Sequence, residues 1–186
     1  PPPGAGGAGH LRGVRSPPRA RLSAVLLWFA GGAALIVWQV FRDPAIDYRL
    51  VMAGAVLPDV VDGPFGGARV AHGVHASIVL LVVVMAVTVG RRARRRRWLA
   101  LPIGTFLHLA LDGMWARTSV FWWPGFGLSF GDDGGLPSLD RPTAVLVVQE
   151  VAGLVALVWW WRRFRLFEPE RRRTLARTGR LGRDLV

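Results

Sequence analysis

The stretch HGVHASIVLLVVVMAVTVGRRARRRR, His72 to Arg97, decides how this chain folds. It opens on two histidines, runs through uncharged Val, Leu, Ile, Met and Ala, and closes on six arginines within seven positions. A hydrocarbon core of about 30 Å takes roughly 20 apolar residues as a helix, so His72–Val89 reads as a membrane span. Arginines collect on the cytoplasmic side of such spans. RRARRRR therefore marks the inner end of this helix, and the histidines mark its outer end.

Working outward from this helix, three more segments have the length and apolarity of a span: Leu22–Phe41, Trp98–Ala116 and Pro142–Trp161. The first is too long for the apolar core of a signal peptide, and no convincing small-residue cleavage site follows it. Nineteen of the 24 arginines lie before the first span, between the second and third, or after the fourth. That pattern predicts an all-α, polytopic membrane helix bundle of four transmembrane helices, with both termini cytoplasmic. Ala45–Leu57 is also apolar, but about 13 residues is short for a crossing and fits a re-entrant or interfacial helix. Pro58 is expected to end that helix before Asp59.

Composition sets further bounds. At 186 residues the length suits one domain. It divides into a low-complexity basic start over 1–21, the bundle over 22–161 and a basic cytoplasmic tail over 162–186. The net charge of +12 comes from arginine alone, since there is no lysine. The tail, RRFRLFEPERRRTLARTGR, is best explained by contact with anionic lipid; no nucleic-acid motif accompanies it, so no nucleic-acid partner is expected. The absence of cysteine excludes disulfides, thiolate metal sites and cysteine nucleophiles. Any metal must be held by nitrogen and oxygen.

Candidates for that role gather at one depth. LPDVVDGPFGGARVAHGVHAS, Leu57–Ser77, places Asp59 and Asp62 in the first outer loop and His72 and His75 at the outer end of the second span. The third span enters from the cytoplasm, so HLALD puts His108 in its outer half and Asp112 a turn further out, with Thr105 one turn below. His108 and Asp112 are i, i+4 and share a face, and His72 and His75 are i, i+3. Pairs facing each other across a bundle are a standard way to build a metal site. An ionisable group such as Asp112 inside a span costs roughly 3 kcal/mol on insertion scales, so it needs a partner. Glu150, beside Gln149 in the fourth span, poses the same question without spacing that ties it to the others. Phe121, Trp122 and Trp123 form an interfacial aromatic belt, and Asp132 and Asp133 are solvated loop charges.

LPDVVD, then a His-containing segment ending in Ser, then HLALD, resembles the membrane-bound metal-dependent hydrolase family of bacterial inner membranes. The likeness covers roughly Gly54 to Phe126. It implies Asp59, His75, His108 and Asp112 as metal ligands, with Asp62 and His72 close behind, because HGVHAS departs from the family's His-Ser pattern. The resemblance also implies an inner-membrane location and a divalent metal. Zn²⁺ is the first choice for imidazole-plus-carboxylate ligands; Mn²⁺ and Mg²⁺ remain open. The expectation is hydrolysis of an ester or phosphoester at the outer membrane face, on a lipid-like substrate, with Asp62 as general base. The alternative is a non-enzymatic membrane protein whose His/Asp cluster is a structural network or a metal or proton transport site.

Overall fold

The computed structural model of the chain describes residues 26–65, 67–125, 127–130 and 141–182. The low-complexity start, the arginines before the first span, and Asp132 and Asp133 lie outside those residues. Among the described residues there is no strand. The helices are α1 (Leu26–Phe41), α2 (Tyr48–Asp62), α3 (Val74–Val87), α4 (Arg92–Trp98), α5 (Ala100–Asp112), α6 (Thr118–Phe121), α7 (Thr143–Arg163) and α8 (Pro169–Thr178). Single 3₁₀ turns at Gly63–Phe65, Val70–His72 and Met114–Ala116 complete the helical elements.

Glycines set the closest helix contacts. A Cβ on Gly104 of α5 would lie 2.2 Å from the Val51 carbonyl oxygen of α2, and one on Gly54 would lie 2.2 Å from that of Leu101. The two backbones therefore touch, as small residues allow between apolar helices. Asp47, before α2, pairs with Arg97, before α5, and Asp59 near the end of α2 meets His108 near the end of α5, so the two helices are parallel. Gly31 and Gly153 bring α1 and α7 together in the same way. The Trp28 amide donates to Glu150, and the Trp38 ring lies 4.6 Å from that of Phe164, so α1 and α7 are also parallel.

The bundle thus has two unlike ends. At one, Arg97 and Arg49 both bond Asp47, the N-cap of α2, at 3.1 Å and 2.9 Å. The tail closes this end: the Tyr48 amide donates to the Gly179 carbonyl and the Leu181 amide to that of Pro44, both at 2.9 Å. Leu166 and Leu181 are buried in the main core with Phe29, Val37, Tyr48, Val51 and Phe164. At the other end lie the ends of α2 and α5 and the starts of α1, α3 and α7, and the candidate site is here.

Several sequence expectations change. The helix expected to stop at Pro58 runs through it to Asp62. A proline inside a helix removes one backbone bond, but packing against α5 holds the turn beyond it. Longer than the expected Ala45–Leu57 segment at its C-terminal end, this helix packs along α5 from Val51 to Asp59. His72 sits in a 3₁₀ turn before α3 begins at Val74, so His72 and His75 do not share a helical face. The expected third span is divided, with α4 formed by the arginine run and α5 ending at Gly113, a left-handed C-cap with φ of 69°. The four-span arrangement expects α1 and α7 to be antiparallel, whereas they pack in parallel.

The flanks are apolar. On α3 only Ser77 and Val84 are buried, while Ile78, Val79, Val82, Val83 and Val87 are exposed. On α7 only Gly153 and Trp160 are buried, with Val147, Val148, Val151 and Val155 outward. A helix apolar all round has no solvent face. By length and composition α7 can cross a membrane; α1 and α3 are apolar but shorter.

Candidate metal centre

Three side chains from three separate elements meet beneath the polar end. Asp59 comes from the last turn of α2, His72 from the 3₁₀ turn before α3, and His108 from the last turns of α5; all are buried. His72 Nε2 lies 3.3 Å from Asp59 Oδ1 and 3.3 Å from His108 Nε2, and His108 Nε2 lies 3.7 Å from Asp59 Oδ1. Donors held about 2.0–2.1 Å from a tetrahedral zinc ion stand about 3.3–3.4 Å from one another. The triangle of ligand atoms has the size such an ion requires.

The bonds behind the triangle decide which atoms carry protons. His108 Nδ1 lies 2.7 Å from the Ala55 carbonyl, which can only accept, so Nδ1 is protonated and Nε2 presents a lone pair. His72 Nδ1 donates to Asp62 Oδ2 at 2.8 Å. The same oxygen accepts the amides of Arg69, Ala71 and His72 at 2.8, 3.1 and 3.2 Å, which identifies Asp62 as an ionised acceptor. With His72 neutral, its Nε2 also turns a lone pair inward, and two imidazole nitrogens and a carboxylate oxygen then meet with a place for a cation, or failing that a proton, between them. Each histidine is oriented through its other nitrogen, as in protein metal sites. The donor set, two neutral imidazoles and a carboxylate, suits a divalent ion of zinc's type.

Set against family models, curated proteins and solved structures, the chain matches none of them. The site is therefore read from its geometry. Of the sequence candidates, Asp59, His72 and His108 form the group, and His72 rather than His75 takes the histidine place. Both ring nitrogens of His75 are buried without a partner among the described residues, and its ring faces Trp123 at 5.1 Å. Gly73 intervenes between the two histidines and turns the chain, which sends His75 towards the aromatic loop.

Asp62 does not stand free as a base: its carboxylate is taken up by His72 and three backbone amides. It orients His72 instead. Asp112 stays outside the triangle, with one oxygen on Arg141 at 3.2 Å and the other buried without a partner. Glu150 has a structural task, accepting the Trp28 amide in the first turn of α1, a group that has no partner within its own helix. Thr105 bonds back to the Pro102 carbonyl at 2.9 Å. Trp123 stacks on Phe130 at 5.2 Å, so one tryptophan of the expected belt instead packs against the loop and His75.

Two residues at the site were missed from sequence. Phe29 stacks on His108 at 4.1 Å and closes the site from the α1 side; nothing distinguishes it from the other apolar residues around it. Arg141 bonds both the carbonyl and the carboxylate of Asp112, at 2.7 and 3.2 Å. A lone arginine entering a span at the arginine-poor end was a visible signal.

Proposed function

We propose that the protein is a membrane-embedded metal-dependent hydrolase, with a divalent ion held by Asp59, His72 and His108. The observation that carries this reading is the convergence of Asp59 Oδ1, His72 Nε2 and His108 Nε2 at tetrahedral ligand spacing. The motif order shared with membrane-bound metal-dependent hydrolases supports it. Three protein ligands leave one tetrahedral position open, the pattern of catalytic rather than structural sites. When bound, such an ion lowers the pKa of water in that position to about 7.

The chain's own residues supply the rest. The unpartnered oxygen of Asp112, one turn beyond His108, accepts the proton of the attacking water. The water oxygen bonds to the carbon or phosphorus of the ester as the bond to the leaving alcohol breaks. That alcohol departs with the proton from Asp112. Asp62 and the Ala55 carbonyl keep the imidazoles fixed throughout.

The apolar faces of α3 and α7 support a multi-pass membrane setting, and the arginine-rich end is then cytoplasmic. With α2 counted as a crossing, the bundle crosses five times. The start of α1 and the metal site then face outward, and the tail faces inward. The transport alternative draws no support from Glu150, whose carboxylate caps α1.

The test is elemental mass spectrometry on the detergent-purified protein beside an Asp59→Ala, His108→Ala double variant. One zinc or manganese per chain in the parent and none in the variant is the expected result. No metal in the parent, even after reloading, would overturn the proposal.

A further inference from the structure

Arg141 pairs with Asp112, one turn beyond the ligand His108, and its bonding is incomplete among the described residues. Its Nη2 donates to the carbonyl and to Oδ1 of Asp112. Its Nη1 is buried and has no partner among the described residues. The other oxygen of Asp112 is in the same condition. A guanidinium carries five N–H donors, and a buried donor left unmade carries a real free-energy penalty. A vacant donor and a vacant acceptor thus belong to one ion pair, Arg141 with Asp112, one helical turn beyond the ligand His108.

A hydrolytic site for phosphoesters needs this pair of groups. The acceptor takes the proton of water, and the donor binds a phosphate oxygen. A carboxylic ester is neutral and offers no charge for a buried cation to meet. Guanidinium groups bind phosphate through directional, charge-assisted hydrogen bonds.

We propose that Arg141 Nη1 binds an oxygen of a phosphate group, so that the substrate class is the phosphoester rather than the carboxylic ester. This rests on the metal-dependent hydrolase reading above. The phosphate belongs either to a soluble molecule or to a lipid headgroup; the chemistry at Arg141 is the same.

The experiment uses the full chain in detergent, loaded with cobalt, and titrated calorimetrically with inorganic phosphate and with short-chain phosphatidic acid. Arg141→Met is expected to weaken phosphate binding by about tenfold or more, with metal content unchanged. Arg141→Lys, which keeps one charge but has a single nitrogen for Asp112 to occupy, is expected to lose binding as well. Should Arg141→Met fail to fold, the lysine variant decides. Undiminished phosphate binding in a metal-loaded variant, or none in the parent, overturns the proposal. If the parent holds no metal, the hydrolase reading fails separately. Phosphate binding that still depends on Arg141 would then uphold this assignment, and its absence would end it. Phosphatidic acid binding far tighter than inorganic phosphate, with both lost in the variant, assigns a lipid source; equal binding assigns a soluble one.

Discussion

Gly104→Ala should damage the metal site without touching a ligand. The new Cβ would stand 2.2 Å from the Val51 carbonyl oxygen and 2.9 Å from the Ala55 amide nitrogen, where an ordinary contact needs at least 3.4 Å. Backbone cannot swing aside as a side chain can, so α2 and α5 must part by about 1.2 Å at this level. The His108 Nδ1 bond to the Ala55 carbonyl, 2.7 Å long, spans that same interface one turn away and would stretch beyond hydrogen-bonding range. Asp59 and His108, already 3.7 Å apart, lie on the two separating helices. Overpacking of this kind costs about 1–3 kcal/mol of stability. Loss of an orienting bond behind a ligand weakens metal binding about 10- to 100-fold. Gly32→Ala is the control, because its Cβ would meet only the Leu111 side chain, at 3.1 Å. The assay is metal content after dialysis against a graded chelator series, with thermal unfolding in detergent alongside. If Gly104→Ala keeps its metal and melts with the parent while Gly32→Ala does the same, the idea that helix contact sets the site geometry is refuted.

Two further outcomes follow from the same contacts. His75→Ala should retain full metal, His72→Ala should lose it, and Asp62→Asn should weaken it about 10- to 100-fold; equal loss in the two histidine variants would return His75 to the site. At the arginine end, burial opposes ionisation of Asp47, but Arg49, the Leu50 amide and Arg97 outweigh it and hold the carboxyl below its usual range. Folding thus favours the charged form. Its contribution is complete above about pH 4 and fades as pH falls through the lowered value. Asp47→Asn should cost about 1 kcal/mol at pH 7, since both arginines are partly exposed. The gap in melting temperature between variant and parent should close towards pH 3, and a gap independent of pH would refute the ion-pair account.

The site was more legible than the frame that carries it. Asp59, Asp62, His72 and His108 stand out because ionisable groups are costly in an apolar chain, and spacing places them at one depth. Their roles were not legible, since roles depend on which nitrogen meets which acceptor. Asp62 and His72 are ten residues apart, and only the turn through Arg69–His72 brings three amides and an imidazole onto one carboxylate. Helical spacing grouped His72 with His75, but the chain is not yet α-helical at His72. Arg141 escaped notice because it was counted among charges that set orientation rather than weighed as a single group entering an apolar helix.

The frame turns on one segment. Length and the charge rule, by which a fifth span puts RRARRRR outside, argued against Ala45–Leu57 as a crossing helix, and a proline was expected to end it. The length and proline arguments concern an isolated helix, whereas α2 is held by contact with α5 through Gly54 and Gly104. Counting it as a crossing changes the parity of the bundle. RRARRRR and the tail stay together at one end, where Arg96 and Arg97 pair with Asp43 and Asp47 of the α1–α2 turn. In a four-helix count those two aspartates belong to the outer loop and could not meet cytoplasmic arginines. The ion pairs join two loops that the four-span count holds on opposite faces, so the five-crossing reading proposed above rests on them.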